Sequence, residues 1–177
     1  MLDVLHRVEA MLPHLLGDRT GWSSKYIDYS PPFVQRLYRD EVLDGVIYRV
    51  YLHRILPCER AFFHPHPWPS AVRVLYVPGS TYEMAVGFSP NERHDPPPHA
   101  AVLRVKDGSF EYEMDHLDGW HYVRTIGEPS VSVMVSGPPW ERAGGAPRTA
   151  TKDFRSLTEE EKEFLFSTVE RAYCGAL

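Results

Sequence analysis

The segment Phe63-His64-Pro65-His66-Pro67-Trp68 sets two imidazoles one residue apart. In an extended chain, residues i and i+2 project to the same side. His64 and His66 can therefore converge on one cation without help from a distant loop. Pro65 and Pro67 stiffen the segment, which lowers the entropy lost when both ligands are fixed. A metal centre needs at least one further donor. His121 follows His66 by 55 residues and opens a β-like stretch; Glu83 follows it by 17 and lies beyond the turn Pro78–Gly79. His53 and His116 are further candidates, but a strand histidine of this kind is more often a hydrogen-bonded core or surface group. Glu83 has a competing use as the salt-bridge partner of Arg73 or Arg104. His94 and His99 sit in a polar, proline-rich loop and read as solvated, whereas His6 and His14 belong to an N-terminal helix.

Other residues could shape a pocket around such a centre. Arg73 alternates with Val72 and Val74. If it points inward, its forked guanidinium can hold a substrate carboxylate; the alternative is an outward salt bridge. Trp68, Tyr82, Tyr112, Trp120 and Tyr122 could line a cavity, although aromatic residues in a small barrel also serve as core. Trp68 and Tyr82 are the expected substrate-lining pair. Cys58 is close to the histidine segment, and a buried, inert thiol is its ordinary role.

The elements that must position these groups are short and mostly extended. The 16 prolines cluster at 31–32, 65–69, 96–98 and 138–139, which excludes long helices there. Leu2, Leu5, Val8, Leu12 and Leu15 make one apolar stripe, so residues 2–16 read as a helix that Pro13 ends or kinks. Residues 32–42 read as one or two helical turns. Strands are expected at 46–56, 71–77, 81–88, 101–106, 109–115, 120–126 and 130–136, with Tyr51, His53 and Ile55 on one face of the first. Pro78–Gly79–Ser80 and Asp118–Gly119 mark turns, and Asp107–Gly108 is a hairpin signal. Residues 89–100 form a long polar loop that could rim or cover a site. Residues 157–173 read as a second helix, with Ser156 and Glu159 as a capping box or Thr158 and Glu161 as an alternative start. Many short strands in series indicate an antiparallel sandwich or barrel. The expected organisation is one domain: a helical extension over 1–45, a barrel over 46–140, and a connector with a helix over 141–177.

Composition narrows the function classes. With 177 residues, 43% hydrophobic and 24% charged, the chain matches an ordinary globular domain. Its net charge is −5 and it has no Lys/Arg run, so nucleic acid is not an expected partner. No apolar stretch is long enough for a bilayer span, and the N-terminus lacks the basic start and apolar core of a signal peptide. Cys58 and Cys174, far apart in sequence, fit a reducing cytosol, so a cytoplasmic location is expected. Serine-triad, P-loop and dinucleotide-binding patterns are missing from the sequence.

From Tyr51 to Trp140, about half the chain, the sequence resembles the cupin superfamily, and within it a branch of small bacterial and phage cupins. The resemblance rests on Tyr51-Leu52-His53-Arg54, His64-Pro65-His66-Pro67-Trp68, Gly79 followed by Tyr82-Glu83, Trp120-His121, and the strand Val131–Ser136 ending in Gly137-Pro138. It implies an all-β, double-stranded β-helix (a jelly-roll barrel) with one divalent metal inside and the two helices outside. Cupins commonly place a glutamate ligand a few residues after the second histidine, but Ser70-Ala71-Val72 offers no carboxylate. Either Glu83 substitutes for it, or His64, His66 and His121 act alone. Neutral ligands alone would leave the ion its full charge and its pull on an anion. Fe(II) is the expected ion, with Mn, Ni or Zn as alternatives. The expected function is a non-haem metal oxidoreductase, dioxygenase-like, acting on a small organic molecule, an acidic one if Arg73 faces inward. A metal-dependent isomerase or lyase and a non-catalytic binding or sensor module are the competing readings. A homodimer is the assembly left open.

Overall fold

A computed structural model describes residues 1–89, 96–117, 119–140 and 154–174. Helix α1 (Leu2–Gly17) is followed by a 3₁₀ turn (Arg19–Gly21). Ten strands come next: β1 (Ser23–Ile27), β2 (Val34–Leu43), β3 (Val46–Ile55), β4 (His64–Pro65), β5 (Ser70–Val74), β6 (Ser80–Phe88), β7 (Ala101–Lys106), β8 (Phe110–Met114), β9 (Gly119–Gly127) and β10 (Ser130–Ser136). Helix α2 (Glu159–Tyr173) closes the fold. Among the described residues, no helix is long and apolar enough to cross a membrane.

The strands form two antiparallel sheets, ordered β1-β2-β3-β10-β5-β8 and β4-β9-β6-β7. Their inner faces share one apolar cluster: Tyr51, Ile55, Val72 and Met134 from the larger sheet meet Tyr82, Met84 and Val123 from the smaller. This is the expected jelly-roll barrel. The helices cover the other face of the six-stranded sheet. Leu5, Val8 and Leu12 of α1 and Leu165, Phe166 and Val169 of α2 pack with Leu37, Leu52, Val131 and Val133. Burying each such side chain contributes roughly 1.5–3 kcal/mol.

Several expectations are corrected. Residues 34–43 are strand, not helical turns, and pair with β3 along their whole length. The sheet thus begins at Ser23 rather than at 46, and β1 and β2 belong to the barrel. Tertiary pairing overrides a local pattern in which Arg36, Arg39, Asp40 and Glu41 obscure any alternation. Pro13 does not end α1, because Leu15 and Leu16 beyond it are buried and offset its cost. Asp107–Gly108 is not a hairpin between paired strands: β7 pairs with β6, and β8 with β5, so this turn carries the chain from one sheet to the other. Gly127 serves a similar change of sheet between β9 and β10. Its φ is +80°, and a Cβ there would clash with the Gly79 carbonyl oxygen. Helix α2 takes the second of its two expected starts, with Thr158 and Glu161 forming the capping box. Pro90–Asp95, including His94, Asp118 of the expected 118–119 turn, and most of the 141–155 connector lie outside the described residues.

Candidate metal centre

The two-residue strand β4 pairs with the start of β9, and this register sets His64 directly opposite His121. His66 projects to the same side as His64, as the extended spacing requires. The result is one group of three imidazoles, His64, His66 and His121. The Nε2 of His121 lies 3.1 Å from that of His64 and 2.9 Å from that of His66.

The outer ring nitrogens orient two of these rings. The Nδ1 of His64 is 3.1 Å from the Phe62 carbonyl oxygen, which can only accept. That nitrogen therefore carries the proton, and Nε2 of a neutral His64 presents a lone pair to the centre. The Nδ1 of His66 is 3.2 Å from the Ser70 hydroxyl. Burial is the first cause lowering all three pKa values, holding His66 down at about 3 and His121 well below the ordinary imidazole range. Ligation needs neutral imidazoles, and this environment supplies them at neutral pH.

These donors fit a divalent cation. One Nε2 offers one proton or one lone pair, so the His121 nitrogen cannot hydrogen-bond satisfactorily to both neighbours at once. A shared cation would satisfy all three lone pairs. Separations of 2.9 and 3.1 Å let one ion at an ordinary metal–imidazole distance of about 2.1 Å reach neighbouring nitrogens.

The histidines open into a cavity of about 400 Å³ between the sheets. Trp68, Tyr82 and Tyr112 line it. The Trp68 ring stacks on His66 with centroids 5.8 Å apart. The hydroxyls of Tyr82 and Tyr112 are 2.9 Å apart. Burial pushes the Tyr112 phenol up to about 12 and that of Tyr82 well above its usual value, so both remain protonated near neutrality.

Two expected site residues are elsewhere. Glu83 lies between Tyr82 and Met84, whose side chains face inward, so its own faces outward. There it accepts from Arg124 (2.6 Å), Tyr122 (3.1 Å) and Arg104, groups on the strands either side of β6. Hydrogen bonding from Arg124 leads the causes that hold its carboxyl down at about 2. Glu83 is buried yet remote from the histidines: a salt-bridge hub rather than a ligand. Tyr122 shares that outer face and does not line the cavity. Arg73 also points outward, between Val72 and Val74, and binds Glu9 of α1 at 2.8 Å and Glu111 of β8 at 2.5 Å. It ties a helix to the sheet. His116 is exposed and 3.2 Å from Asp115, outside the histidine group.

The cavity also contains residues the sequence reading did not assign to it. Arg36 lines the wall, and His53, read as structural, lies beside it. The strand register aligns Arg36 with His53 and His53 with Ser132 across β2, β3 and β10. A strand reading of 34–43 would have placed Arg36 on the same face as Val34, which is core; its charge masked that signal.

No family model matches this chain, and no curated protein matches it. Several solved structures do. One is an Fe(II)-HppE complex with the alternative substrate (S)-1-HPP, with 11% identity, a TM-score of 0.42, and coverage of 64% of this chain and 55% of that one. Another is the oxalate decarboxylase of Bacillus subtilis studied for its Mn(II) centres, with 21% identity, a TM-score of 0.43, and coverage of 66% and 28%. A third is the Lactobacillus farciminis oxalate decarboxylase formate complex, with 16% identity, a TM-score of 0.43, and coverage of 66% and 32%. The chain thus spans about half or less of the length of these structures.

Proposed function

We propose that this chain is a metal-dependent cupin that binds one divalent ion through His64, His66 and His121 and acts on a small organic molecule as a non-haem oxidoreductase, with Fe(II) as the working ion. The observation that carries this reading is the convergence of the three histidines at the wall of the cavity between the sheets. The three neutral donors would hold the ion at the cavity wall, where a small molecule in the cavity could reach it. When bound, an Fe(II) ion would supply the redox chemistry, for which the chain's own side chains offer no alternative centre.

The remaining roles fall to residues of the chain. Val34, Tyr51, Val72 and Met134 provide an apolar wall that excludes bulk water. Trp68 fixes the plane of His66 by stacking. The Tyr82–Tyr112 hydroxyl pair holds its protons at neutral pH and can donate one hydrogen bond to a substrate oxygen. The test is anaerobic loading with Fe(II), mixing with a panel of small acids and phenols, and then admission of air. Substrate-dependent O₂ uptake with product formation supports the proposal. Turnover that proceeds equally without O₂ would replace it with a Lewis-acid isomerase or lyase. Ligand binding without turnover would replace it with a binding module.

A further inference from the structure

Three polar side chains form a row across the inner face of the six-stranded sheet. Register aligns Arg36 of β2 with His53 of β3, and His53 with Ser132 of β10. All three line the cavity that holds the histidine group. His53 and Ser132 are 6% and 1% exposed. Yet Nε of Arg36, Nε2 of His53 and Oγ of Ser132 are each buried without a hydrogen-bond partner among the described residues. A buried polar atom left unpaired is costly, so three in one row are unusual without something to bind.

The charge balance points the same way. Arg36 contacts the face of the Tyr51 ring, its guanidinium carbon 4.9 Å from the centroid. It forms no ion pair with an acid among the described residues. The described residues lining the cavity include no Asp or Glu. A guanidinium stays charged, so the cavity carries an uncompensated positive charge even before any metal binds. Much of the remaining wall is apolar, with Ile27, Val34, Ile55, Val72, Val123 and Met134 beside the Tyr82 and Tyr112 hydroxyls.

We propose that Arg36, His53 and Ser132 form a carboxylate-binding subsite that holds the acidic end of a small monocarboxylic acid whose apolar body fills the rest of the cavity. The forked guanidinium matches two carboxylate oxygens, and Ser132 and His53 can each donate to one. Arg36 is the one guanidinium among the described residues lining the cavity, which favours one negative charge over two. The subsite rests on the metal-centre reading, whose substrate class it names, and it replaces Arg73 with Arg36 as the anchor.

The probe is phenylacetate, with phenylacetamide as its neutral counterpart and oxalate as a compact dianion. Binding is measured by calorimetry on metal-free and on zinc-loaded protein. The wild type should bind phenylacetate at least tenfold more tightly than phenylacetamide or oxalate in the metal-free state. Arg36→Gln should weaken phenylacetate by about ten- to a hundredfold and leave phenylacetamide unchanged. Arg36→Lys keeps the charge without the fork and should lie between; it decides the question in the same way if the glutamine variant does not fold. Absence of phenylacetate binding at 10-millimolar concentration (about ten times a weak millimolar Kd), or equal affinity in the wild type and both Arg36 variants, overturns the subsite. Zinc binding is read on the same samples. Loss of zinc binding with Arg36-dependent phenylacetate binding intact counts against the metal centre alone. Intact zinc binding with Arg36-independent phenylacetate binding counts against the subsite alone.

Discussion

Acid should destabilise the metal-free protein before most of its carboxylates titrate. Burial holds His53 and His121 far below the ordinary imidazole pKa, and His66 down at about 3. In the unfolded chain each would titrate near 6.5. At pH 5.5, roughly one unit below that value, the unfolded state therefore gains RT ln(1 + 10) per residue, about 1.4 kcal/mol. Three such residues give about 4 kcal/mol, against a total stability of about 5–15 kcal/mol for a domain. These are bases whose folded pKa values are depressed, so the unfolded state binds the extra protons. Their stabilising effect is complete above about pH 6.5 and is lost as pH falls toward the folded values. The assay is urea unfolding of protein dialysed against a chelator, from pH 8 to pH 5. The midpoint should drop steadily below pH 6.5, and His53→Gln should remove about a third of that drop. A midpoint that is flat from pH 8 to 5.5 would refute the burial of neutral imidazoles on which the site depends.

Glu83→Gln should leave divalent-metal affinity unchanged while lowering stability by about 1–3 kcal/mol, a range discounted for the solvent exposure of Arg104; chemical denaturation and metal titration of the same variant check both halves. Its wild-type contribution should be present above about pH 4.5 and vanish as pH falls toward about 2, because the folded carboxyl pKa is depressed. Arg73→Gln should cost about 0.5–2 kcal/mol through loss of the Glu9 and Glu111 pairs, and should not change phenylacetate affinity in calorimetry. Thr158→Ala should destabilise the fold by about 0.5–2 kcal/mol through loss of the α2 cap, seen as a lowered Tm with metal binding intact.

The histidine group was legible because its signal is local. An H-x-H segment in extended chain fixes two side chains on one side whatever surrounds it, and His121 needed only a strand to present it. Strand β3 and the strands from β5 onward were legible because β-branched and aromatic residues recur between sharp turns. Glu83 and Tyr82 were both expected at the site, although neighbours in a strand face opposite ways; only one could be right, and the cluster of Tyr82 with Met84 and Val123 decides which. Arg73 failed for the same reason against Val72 and Val74. The turn Asp107–Gly108 looked like a hairpin because turn chemistry specifies a reversal, not the partner of each strand. Strand β2 was missed because its inward residue is a charged Arg36 and its outward residues include Leu37 on the helix-covered face, so neither face looks uniformly apolar or polar. The cation that disguises the strand is also the one that has no acidic partner among the described residues lining the cavity.

Whether His64, His66 and His121 together hold one divalent ion is tested most directly by equilibrium dialysis of chelator-treated protein against Co(II). The metal is counted and the visible spectrum recorded for the wild type, His66→Ala, His121→Ala and Glu83→Gln. One ion should bind per wild-type chain and per Glu83→Gln chain. Binding should be lost in both histidine variants while their circular dichroism stays native. A wild type that takes up no Co(II), or a His66→Ala variant that binds it as well as the wild type, would contradict the three-histidine centre.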